Sequence, residues 1–302
     1  MPESALLFIH ALTGLHPGSG TALGVVDLPV QRERHTQWPT IPGSSIKGVL
    51  REACRRQATG QGGNGANDGK LTVVFGPETG DAPDHAGALA LTDARILAFP
   101  VRSMRGVFAW VTCPAVLSRL QRDLRLAKLP DGLSSPEVAN GEAACVPGSP
   151  LLLDTNKMVL EEFDFRCKAG DDVKRLAEWL AKASPEGNER LKQHLAVLHD
   201  DDFTHFVRHA TEVTARVGLN YETKTVKTGA LFYEEFLPAE TIFYSLVLAE
   251  DSRSDKKADM KAADVLGYLR KKLPLFLQIG AGETIGKGLC AVRLWNGKEP
   301  ES

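Results

Sequence analysis

Hydrophobic and polar positions change their period along the first part of the chain. The run ALLFIHAL at residues 5–12 is almost continuously apolar and precedes the turn-rich LHPGSG, which predicts a buried strand. After a long loop, apolar residues recur at helical spacing from Ile46 to Cys54. This pattern predicts a helix whose N-cap is Ser44 or Ser45.

Two further strands and a second helix are predicted next. GALALTDARILAF and RGVFAWVT have strand character, and a helix is expected from about Ala115 to Ala127. The order strand, helix, strand, strand, helix lacks only a closing strand to complete a ferredoxin-like or RRM-like unit. The predicted fold class is therefore α+β.

The rest of the chain alternates between helical and strand patterns. MVLEEFDF predicts a strand, whereas DDVKRLAEWLAKA and NERLKQHLAVL predict helices. The segment from Thr211 to Glu250 alternates apolar and polar residues, which predicts paired strands with a protruding hairpin. A last helix, about Ala258 to Lys272, leads into the strands PLFLQI and LCAVRLW. The glycine-rich stretch at about 58–70 is typical of a flexible insertion.

Composition narrows the range of functions. The 302 residues are 43% hydrophobic and 25% charged, which is typical of folded globular proteins. The net charge of -2 argues against binding nucleic acid by bulk positive charge, so any RNA contact must use local basic patches. Five cysteines without a C-x-x-C pair suit a reducing cytoplasm. Neither a signal peptide nor an apolar span of about 18 residues is present, so we expect a cytoplasmic protein without a membrane partner.

The segment LHPGSGTALGVVDLPVQRE carries two candidate reactive side chains, His16 and Asp27. Both are expected to project into solvent near a ligand. Pro29 restricts the backbone and favours an extended Leu28, so Asp27 would lie on a rigid segment. A carboxylate held beside RNA can act as a general base or hold a divalent ion. The alternative is an ordinary turn-forming aspartate.

The predicted helix at Ser44 carries a basic stripe. Lys47, Arg51 and Arg55 follow one another at intervals of four residues, opposite the apolar face. Ser44 and Ser45 lie at the helix N-terminus, where backbone N–H groups can bind a phosphate. The stripe and the helix start therefore indicate a site for RNA, and the alternative is a solvated helix surface.

The stretch QIGAGETIGKGLC near the end of the chain forms a glycine-rich loop over residues 280–288. Its candidate RNA-binding residues are Gly280, Gly282, Gly286, Lys287 and Gly288. Glycines permit close approach to a sugar-phosphate chain. The order of residues differs from that of a P-loop, because a glycine follows Lys287 where Ser or Thr is required.

The segment NYETKTVKTGALFYEEF interleaves cationic and aromatic residues. Lys224 and Lys227 alternate with tyrosines and phenylalanines, a mixture suited to phosphate contact and base stacking. An ordinary amphipathic hairpin is the competing interpretation.

Five motifs occur together in a characteristic order. LHPGSG, GVVDLPVQRE, IPGSSIKGVLR, TKTVKTGALFYEEFLP and GAGETIGKG resemble, across nearly the full chain, the Cmr backbone branch of the RAMP superfamily from type III-B CRISPR complexes. The terminal glycine-rich loop is shared by many RAMP proteins, whereas D-L-P-V-Q-R-E and F-Y-E-E narrow the resemblance to this branch.

The resemblance implies a single RAMP domain over residues 1–302, with a modified RRM palm, helical insertions and a β-hairpin thumb at about 211–236. It also implies that copies of the protein stack into a helical filament with other Cmr subunits. The filament would bind crRNA and single-stranded target RNA, and each thumb would displace a nucleotide at regular intervals.

The resemblance further implies cleavage of the target at regular intervals. The reaction would need a weakly held divalent metal, Mg²⁺ or Mn²⁺, and would yield a cyclic phosphate and a 5′-hydroxyl. Asp27 matches the essential carboxylate and possible metal ligand, while His16, Lys47 and Glu234 match a loop histidine, a helix cation and an acidic residue after the thumb. Phe236 stands where relatives often have a hydroxyl-bearing aromatic residue.

Two other functions remain open. A non-catalytic scaffold subunit would bind crRNA while another protein cuts. A guide-processing nuclease of the same superfamily fits less well, because such enzymes usually use a histidine-centred site in a stand-alone monomer.

Overall fold

A computed structural model describes residues 2–22, 24–59, 69–77, 86–185, 189–253 and 259–297. The strands are β1 (Glu3–Ala11), β2 (Thr40–Ile41), β3 (Leu89–Leu91), β4 (Ala94–Arg102), β5 (Phe108–Thr112), β6 (Glu142–Cys145), β7 (Lys157–Leu160), β8 (Phe163–Ala169), β9 (Leu195–Leu198), β10 (Glu212–Leu219), β11 (Val226–Phe236), β12 (Ile242–Ala249), β13 (Phe276–Gln278) and β14 (Leu289–Trp295). The helices are α1 (Gly43–Thr59), α2 (Gly69–Phe75), α3 (Pro114–Leu126), α4 (Asp171–Ala183), α5 (Leu191–His194), α6 (Asp200–His209) and α7 (Ala262–Lys272). Within these ranges, no helix is long and apolar enough to cross a membrane.

The centre of the fold is a ferredoxin-like unit. Four antiparallel strands lie in the order β14, β1, β12, β4, so that Leu7 is paired with Leu294 on one side and with Ser245 on the other. Helix α1 connects β1 to the β3–β4 region, and α7 connects β12 to the β13–β14 hairpin. The predicted α+β class with a ferredoxin-like core is confirmed.

The predicted third strand and second helix of that core were wrong. We expected β5 and α3 to be its third strand and second helix, but β12 and α7 have those positions. Strand β5 pairs with the outer side of β4 and begins an extension of the sheet through β9, β6, β8 and β7. The cause is a long insertion between β4 and β12, since chain order alone does not fix strand order in a sheet.

Two local predictions also differ from the structure. NERLKQHLAVL was expected to be one helix, but a single helical turn, α5, passes directly into strand β9. The four residues of β9 are all fully buried, and a short buried apolar run has no period that separates helix from strand. The insertion expected at about 58–70 begins in α1 and ends in α2, while residues 60–68 lie outside the described part of the chain.

The core continues on both faces of the sheet. Strand β1 is buried from Ala5 to Ala11, because helices pack on it and Trp179 of α4 places its ring 6.1 Å from the ring of Phe8. The apolar side of α1 packs inward as expected, with Ile46 and Leu50 fully buried. This packing fixes the ends of β1 and β14, from which the site is built.

A buried polar cluster joins α3 to the sheet. The carboxylate of Asp123 is bound by the guanidinium of Arg95 and accepts a hydrogen bond of 3.1 Å from the hydroxyl of Tyr244. Burial, and then the charge of Asp123, raise the pKa of that hydroxyl, so Tyr244 stays a donor. Three elements, α3, β4 and β12, are thereby connected at one point.

We expect Asp123→Ala to lower the free energy of unfolding by about 3 kcal/mol or more, because it leaves the Arg95 charge without its partner inside the fold. Urea unfolding followed by circular dichroism measures this loss. Tyr244→Phe is the matched control, since it removes one hydrogen bond and should cost only about 1 kcal/mol. Equal losses in the two variants would contradict the assigned role of Asp123.

Candidate nucleic-acid interface

Three segments meet at the end of β1. They are the loop that follows this strand, the end of β11 and the glycine-rich loop 280–288. The carbonyl oxygen of His16 accepts a 3.0 Å hydrogen bond from the backbone of Ala281, and that of Gly14 accepts one of 2.9 Å from Gly288. Leu15 forms a β-bridge with Leu237 just beyond β11. The motifs in these three segments, which are far apart in the sequence, therefore form one surface.

Asp27 is half-buried and held in place by the backbone of β11. The N–H of Tyr233 donates to Oδ2 of Asp27 at 2.7 Å. Its neighbour Leu28 forms a parallel bridge with Glu234, so the extended backbone predicted from Pro29 is present. Asp27 is thus a partly exposed carboxylate on a rigid segment at the base of the hairpin.

Glu235 holds this segment, a role that the sequence analysis missed. Its Oε2 accepts a 3.0 Å hydrogen bond from the backbone N–H of Val30, and its Oε1 is 2.7 Å from a guanidinium nitrogen of Arg32. Arg32 also donates to the carbonyl oxygen of Val207 at the end of α6. The feature of the sequence that could have indicated this role is the alternation of side chains along a strand, which places Glu234 and Glu235 on opposite faces of β11.

His16 and Glu234 have structural surroundings that differ from the expectation. His16 was predicted to project into solvent, but it is only 5% exposed, and its Nδ1 lies 2.6 Å from the carbonyl oxygen of Glu235. Glu234 is 8% exposed and forms a 3.0 Å ion pair with Arg216 across the hairpin. Both side chains support the base of the hairpin and are not free groups facing a ligand.

The glycine-rich loop turns sharply beside His16. Gly280 and Gly288 have φ angles of 79° and 74°, and a Cβ at either would collide with a backbone carbonyl oxygen, of His16 and Ile279 respectively. Gly280 is required because the loop passes directly over the β1 loop, and Gly288 because the two ends of the glycine-rich loop approach each other closely. Gly282 and Gly286 share the left-handed conformation at the ends of a short 3₁₀ turn.

Lys287 is the cation that this loop brings to the site. Its Nζ lies 4.7 Å from the centre of the Phe236 ring, a ring that also contacts His16 at 5.6 Å between centroids. A cation over an aromatic ring is held in place while part of its charge stays available to an anion. Phe236 therefore positions Lys287 although it lacks a hydroxyl group.

Two of the three cations in the basic stripe on α1 bind backbone carbonyl oxygens of the chain itself. Lys47 donates from Nζ to the carbonyl oxygen of Leu89 at 2.8 Å, and burial together with the charge of Arg51 lowers the pKa of its amine. Arg51 donates to the carbonyl oxygen of Pro77. Arg55 is exposed and forms an ion pair of 2.5 Å with Glu52. The prediction of an exposed RNA-binding stripe is therefore wrong for Lys47 and Arg51, because α2 and β3 pack beside this side of the helix.

The start of α1 also differs from the prediction. The helix begins at Gly43, whose N–H donates to the carboxylate of Asp93 at 2.7 Å. Ser44 and Ser45 are exposed in the first turn and are not the N-cap. Part of the N-terminal hydrogen-bonding capacity is thus satisfied by a carboxylate of the chain itself.

Strands β10 and β11 form a two-stranded ribbon that pairs with no other strand in the described ranges. Lys224 lies in the exposed turn, where its Nζ is 5.2 Å from the Tyr221 ring, and Lys227 is exposed on β11. One face carries the cross-strand pairs Ala215–Tyr233 and Val217–Leu231. The ribbon therefore offers apolar, aromatic and cationic side chains to a ligand.

The chain matches the RAMP superfamily over residues 8–291. It is 41% identical over 298 residues to the CRISPR system Cmr endoribonuclease Cmr4 of Pyrococcus furiosus, a match that covers 97% of this chain and 96% of that protein. The crystal structure of oligomeric Cmr4 from Pyrococcus furiosus has a TM-score of 0.73 at 31% identity, with 99% and 100% of the two chains covered. A second relative, the CRISPR system CMR subunit Cmr4 of Saccharolobus solfataricus, is 27% identical over 96% of each protein.

Fold, site and family match together define a protein of the RAMP superfamily. Within that superfamily, the chain belongs to the Cmr4 family. The resemblance to the Cmr backbone branch is confirmed.

We expect Glu235→Ala to release the segment that holds Asp27. Loss of the carboxylate leaves Arg32, which is only 15% exposed, without its ion-pair partner, so stability should fall by about 3 kcal/mol. Hydrogen exchange at the Val30 amide should become faster in the native protein. Glu222→Ala, at the exposed hairpin turn, is the control and should leave both quantities unchanged. Unchanged protection of Val30 in the Glu235 variant would contradict this role.

Proposed function

We propose that the chain is a backbone subunit of a type III-B CRISPR ribonucleoprotein that binds crRNA and cuts the paired target RNA beside Asp27. The observation that carries this proposal is the partly exposed Asp27 carboxylate, fixed by the Tyr233 N–H at the base of a protruding ribbon. A relative that is 41% identical over nearly its full length bears the name of an endoribonuclease, which supports the same activity here.

The proposed reaction is attack by a ribose 2′-hydroxyl on the adjacent phosphorus. With Asp27 as general base, its carboxylate takes the 2′-hydroxyl proton, the 2′-oxygen bonds to phosphorus, and the 5′-oxygen leaves and takes a proton from solvent. The products are a cyclic 2′,3′-phosphate and a 5′-hydroxyl. Alignment of the reacting groups can supply about 7–11 kcal/mol of the barrier reduction, so a splayed target strand is central to the proposal.

The residues around Asp27 fit a weakly held Mg²⁺ or Mn²⁺. The described residues contain no cluster of three or more protein ligands, and Glu234 and Glu235 are bound to arginines. Mg²⁺ commonly uses one or two carboxylates, water and substrate phosphates, a mode to which Asp27 alone can contribute. Such an ion would neutralise charge on the scissile phosphate. Asp27 as base and Asp27 as metal ligand both remain compatible with the geometry.

The neighbouring residues have supporting roles in the proposal. Lys287 lies in one of the convergent loops and can neutralise a phosphate, while the glycine-rich loop admits a sugar-phosphate chain close to its backbone. His16 and Glu234 are assigned to positioning, because each already holds the base of the ribbon. Lys47 is assigned to the packing of α1 and β3.

The proposed assembly contains crRNA, target RNA, further copies of the chain and other Cmr subunits. Relatives support self-association, since one solved structure is described as oligomeric Cmr4. The exposed ribbon, with Tyr221 and its two lysines, would intrude between guide and target and displace a nucleotide. A cytoplasmic location follows from this role and not from any feature of the fold.

We expect Asp27→Asn to abolish target cleavage in the reconstituted complex while target binding is kept. Asparagine still accepts the Tyr233 hydrogen bond but supplies neither a base nor an anionic ligand. Gel-resolved cleavage with and without Mg²⁺, beside a binding assay, measures the two effects. Asp164→Asn, an exposed carboxylate on β8, is the control. Normal cutting by Asp27→Asn would favour the non-catalytic scaffold.

The ribbon lysines should contribute to RNA affinity through phosphate contacts. We expect Lys224→Ala with Lys227→Ala to reduce the slope of log K against log salt by about 0.7 per lysine for single-stranded RNA. Fluorescence anisotropy over a salt series measures the slope. The pair Lys174→Ala and Lys271→Ala removes the same charge from exposed helix positions and should leave the slope unchanged. Equal effects of both pairs would argue against contact at the ribbon.

A further inference from the structure

The side chain of Tyr233 begins next to the Asp27 carboxylate. The backbone N–H of Tyr233 donates to Oδ2 of Asp27 at 2.7 Å, and its carbonyl oxygen accepts a 3.0 Å hydrogen bond from the N–H of Leu28. Both main-chain groups of Tyr233 therefore point to the edge of β11 along which Asp27 lies. The phenol group is attached to the same Cα atom, so the ring and the carboxylate are neighbours.

The Tyr233 ring is accessible from solvent. Alternation along β11 places it on the face opposite to Glu234 and on the same face as Leu231, which is 53% exposed. Its cross-strand partner is Ala215, which contributes only a methyl group. The ring itself is 40% exposed. It therefore has apolar neighbours on the ribbon and a free surface toward a ligand.

Three aromatic side chains are exposed on the ribbon, and they lie at different places relative to Asp27. Tyr221, in the turn at the tip, is 87% exposed. Phe232 is 38% exposed and lies on the opposite face from Tyr233, where it pairs with Arg216 across the strands. Of these three residues, all within the described ranges, only Tyr233 is bonded to Asp27. A nucleotide bound at Asp27 therefore has the Tyr233 ring beside it.

The chemistry of the proposed reaction identifies that nucleotide. Whether Asp27 is a general base or a metal ligand, the scissile phosphate and the attacking 2′-hydroxyl lie beside its carboxylate. This hydroxyl belongs to the nucleotide on the 5′ side of the scissile phosphate, and the carbon that carries it is bonded to the carbon that carries the base. Unstacked bases bind to aromatic side chains, and such stacking tolerates every base. That tolerance suits a nuclease whose target is chosen by pairing with a guide.

We propose that the Tyr233 ring stacks on the base of the nucleotide that supplies the attacking 2′-hydroxyl and thereby holds its ribose in line with the scissile phosphorus. The inference rests on the proposed function and deepens it by naming a substrate-positioning residue. One residue then anchors the carboxylate through its backbone and the nucleotide through its ring. Pairing with the guide holds the rest of the target, so the ring acts on the rate of cutting and not on target affinity.

The test is single-turnover cleavage in the reconstituted complex. Tyr233→Ala keeps the backbone N–H that binds Asp27 and removes the ring, so the rate should fall about 5- to 150-fold, the effect of one base–aromatic stack, at unchanged target Kd. Tyr233→Leu, which keeps bulk without a flat ring, should be equally slow. Tyr233→Phe should restore most of the rate, because stacking needs no hydroxyl group.

A target with an abasic nucleotide on the 5′ side of the cut is the decisive substrate. It should slow the wild type as much as Tyr233→Ala does, and it should slow the Tyr233→Ala variant no further, because the same stack is lost only once. The matched control is Phe232→Ala, in which the abasic nucleotide should keep its full effect. An abasic nucleotide on the 3′ side of the cut should change the rates of the wild type and of Tyr233→Ala by the same factor.

Three results would overturn the inference. The first is normal cutting by Tyr233→Ala. The second is an abasic nucleotide on the 5′ side that costs this variant as much as it costs the wild type. The third is a Tyr233→Phe variant as slow as Tyr233→Ala, which would assign the role to the hydroxyl group. Thermal melts by circular dichroism show whether each variant is folded.

A fluorescent base separates this inference from the catalytic role of Asp27. A target with 2′-deoxy-2-aminopurine on the 5′ side of the cut lacks the attacking hydroxyl, and stacking quenches its emission. Emission in the complex should be low with the wild type, Tyr233→Phe and Asp27→Asn, and higher with Tyr233→Ala. Normal cutting of ordinary RNA by Asp27→Asn with this quench retained would refute the catalytic proposal alone. Abolished cutting by Asp27→Asn, with equal emission from the wild type and Tyr233→Ala, would overturn this inference alone.

Discussion

The carboxylate of Glu235 is the contact on which the site depends. It binds the backbone of Val30 and the side chain of Arg32, and Arg32 in turn binds the carbonyl oxygen of Val207. One buried anion thereby connects the β1 loop, the ribbon and α6. Without it, the segment that carries Asp27 would be attached to β11 by the backbone bonds of Leu28 and by the Tyr233 N–H that binds Asp27. A catalytic carboxylate on a loop needs such support, because small displacements of a reacting group cost much of its effect.

The same contact divides the ribbon into two parts with different properties. At its base, Glu234, Glu235 and Phe236 are buried and bonded to the body of the protein. Beyond Tyr233, nearly every side chain is exposed, and the ribbon stabilises itself only through cross-strand pairs. A rigid base under an exposed arm allows the arm to follow a ligand while Asp27 stays fixed. The carboxylate proposed to react and the ribbon proposed to displace a nucleotide are therefore neighbours in space that can move independently.

The sequence predicted the local elements better than their arrangement. The first strand, the apolar face of α1 and the rigid segment at Pro29 follow from short-range rules and are present. The third strand and the second helix of the core were misassigned because a long insertion separates them from the first two strands. The orientations of Lys47 and His16 depend on α2, β3 and Phe236, which are distant in sequence, so helical spacing and loop composition alone suggested exposed groups for both. Long-range packing, and not propensity, decided these positions.

Stacking of copies by one repeated contact in the proposed filament has a consequence for the chemistry. Because each copy relates to the next by the same displacement, every Asp27 in the proposed filament would have the same relation to the bound RNA. A two-fold contact would instead turn alternate copies around and reverse their polarity against the strand. In the proposed filament, cutting at regular intervals would follow from this repetition, and the interval would equal the length of RNA that one copy spans. Assembly of the copies would then reproduce, at the Asp27 site of every copy, the geometry that orients a 2′-hydroxyl at one of them.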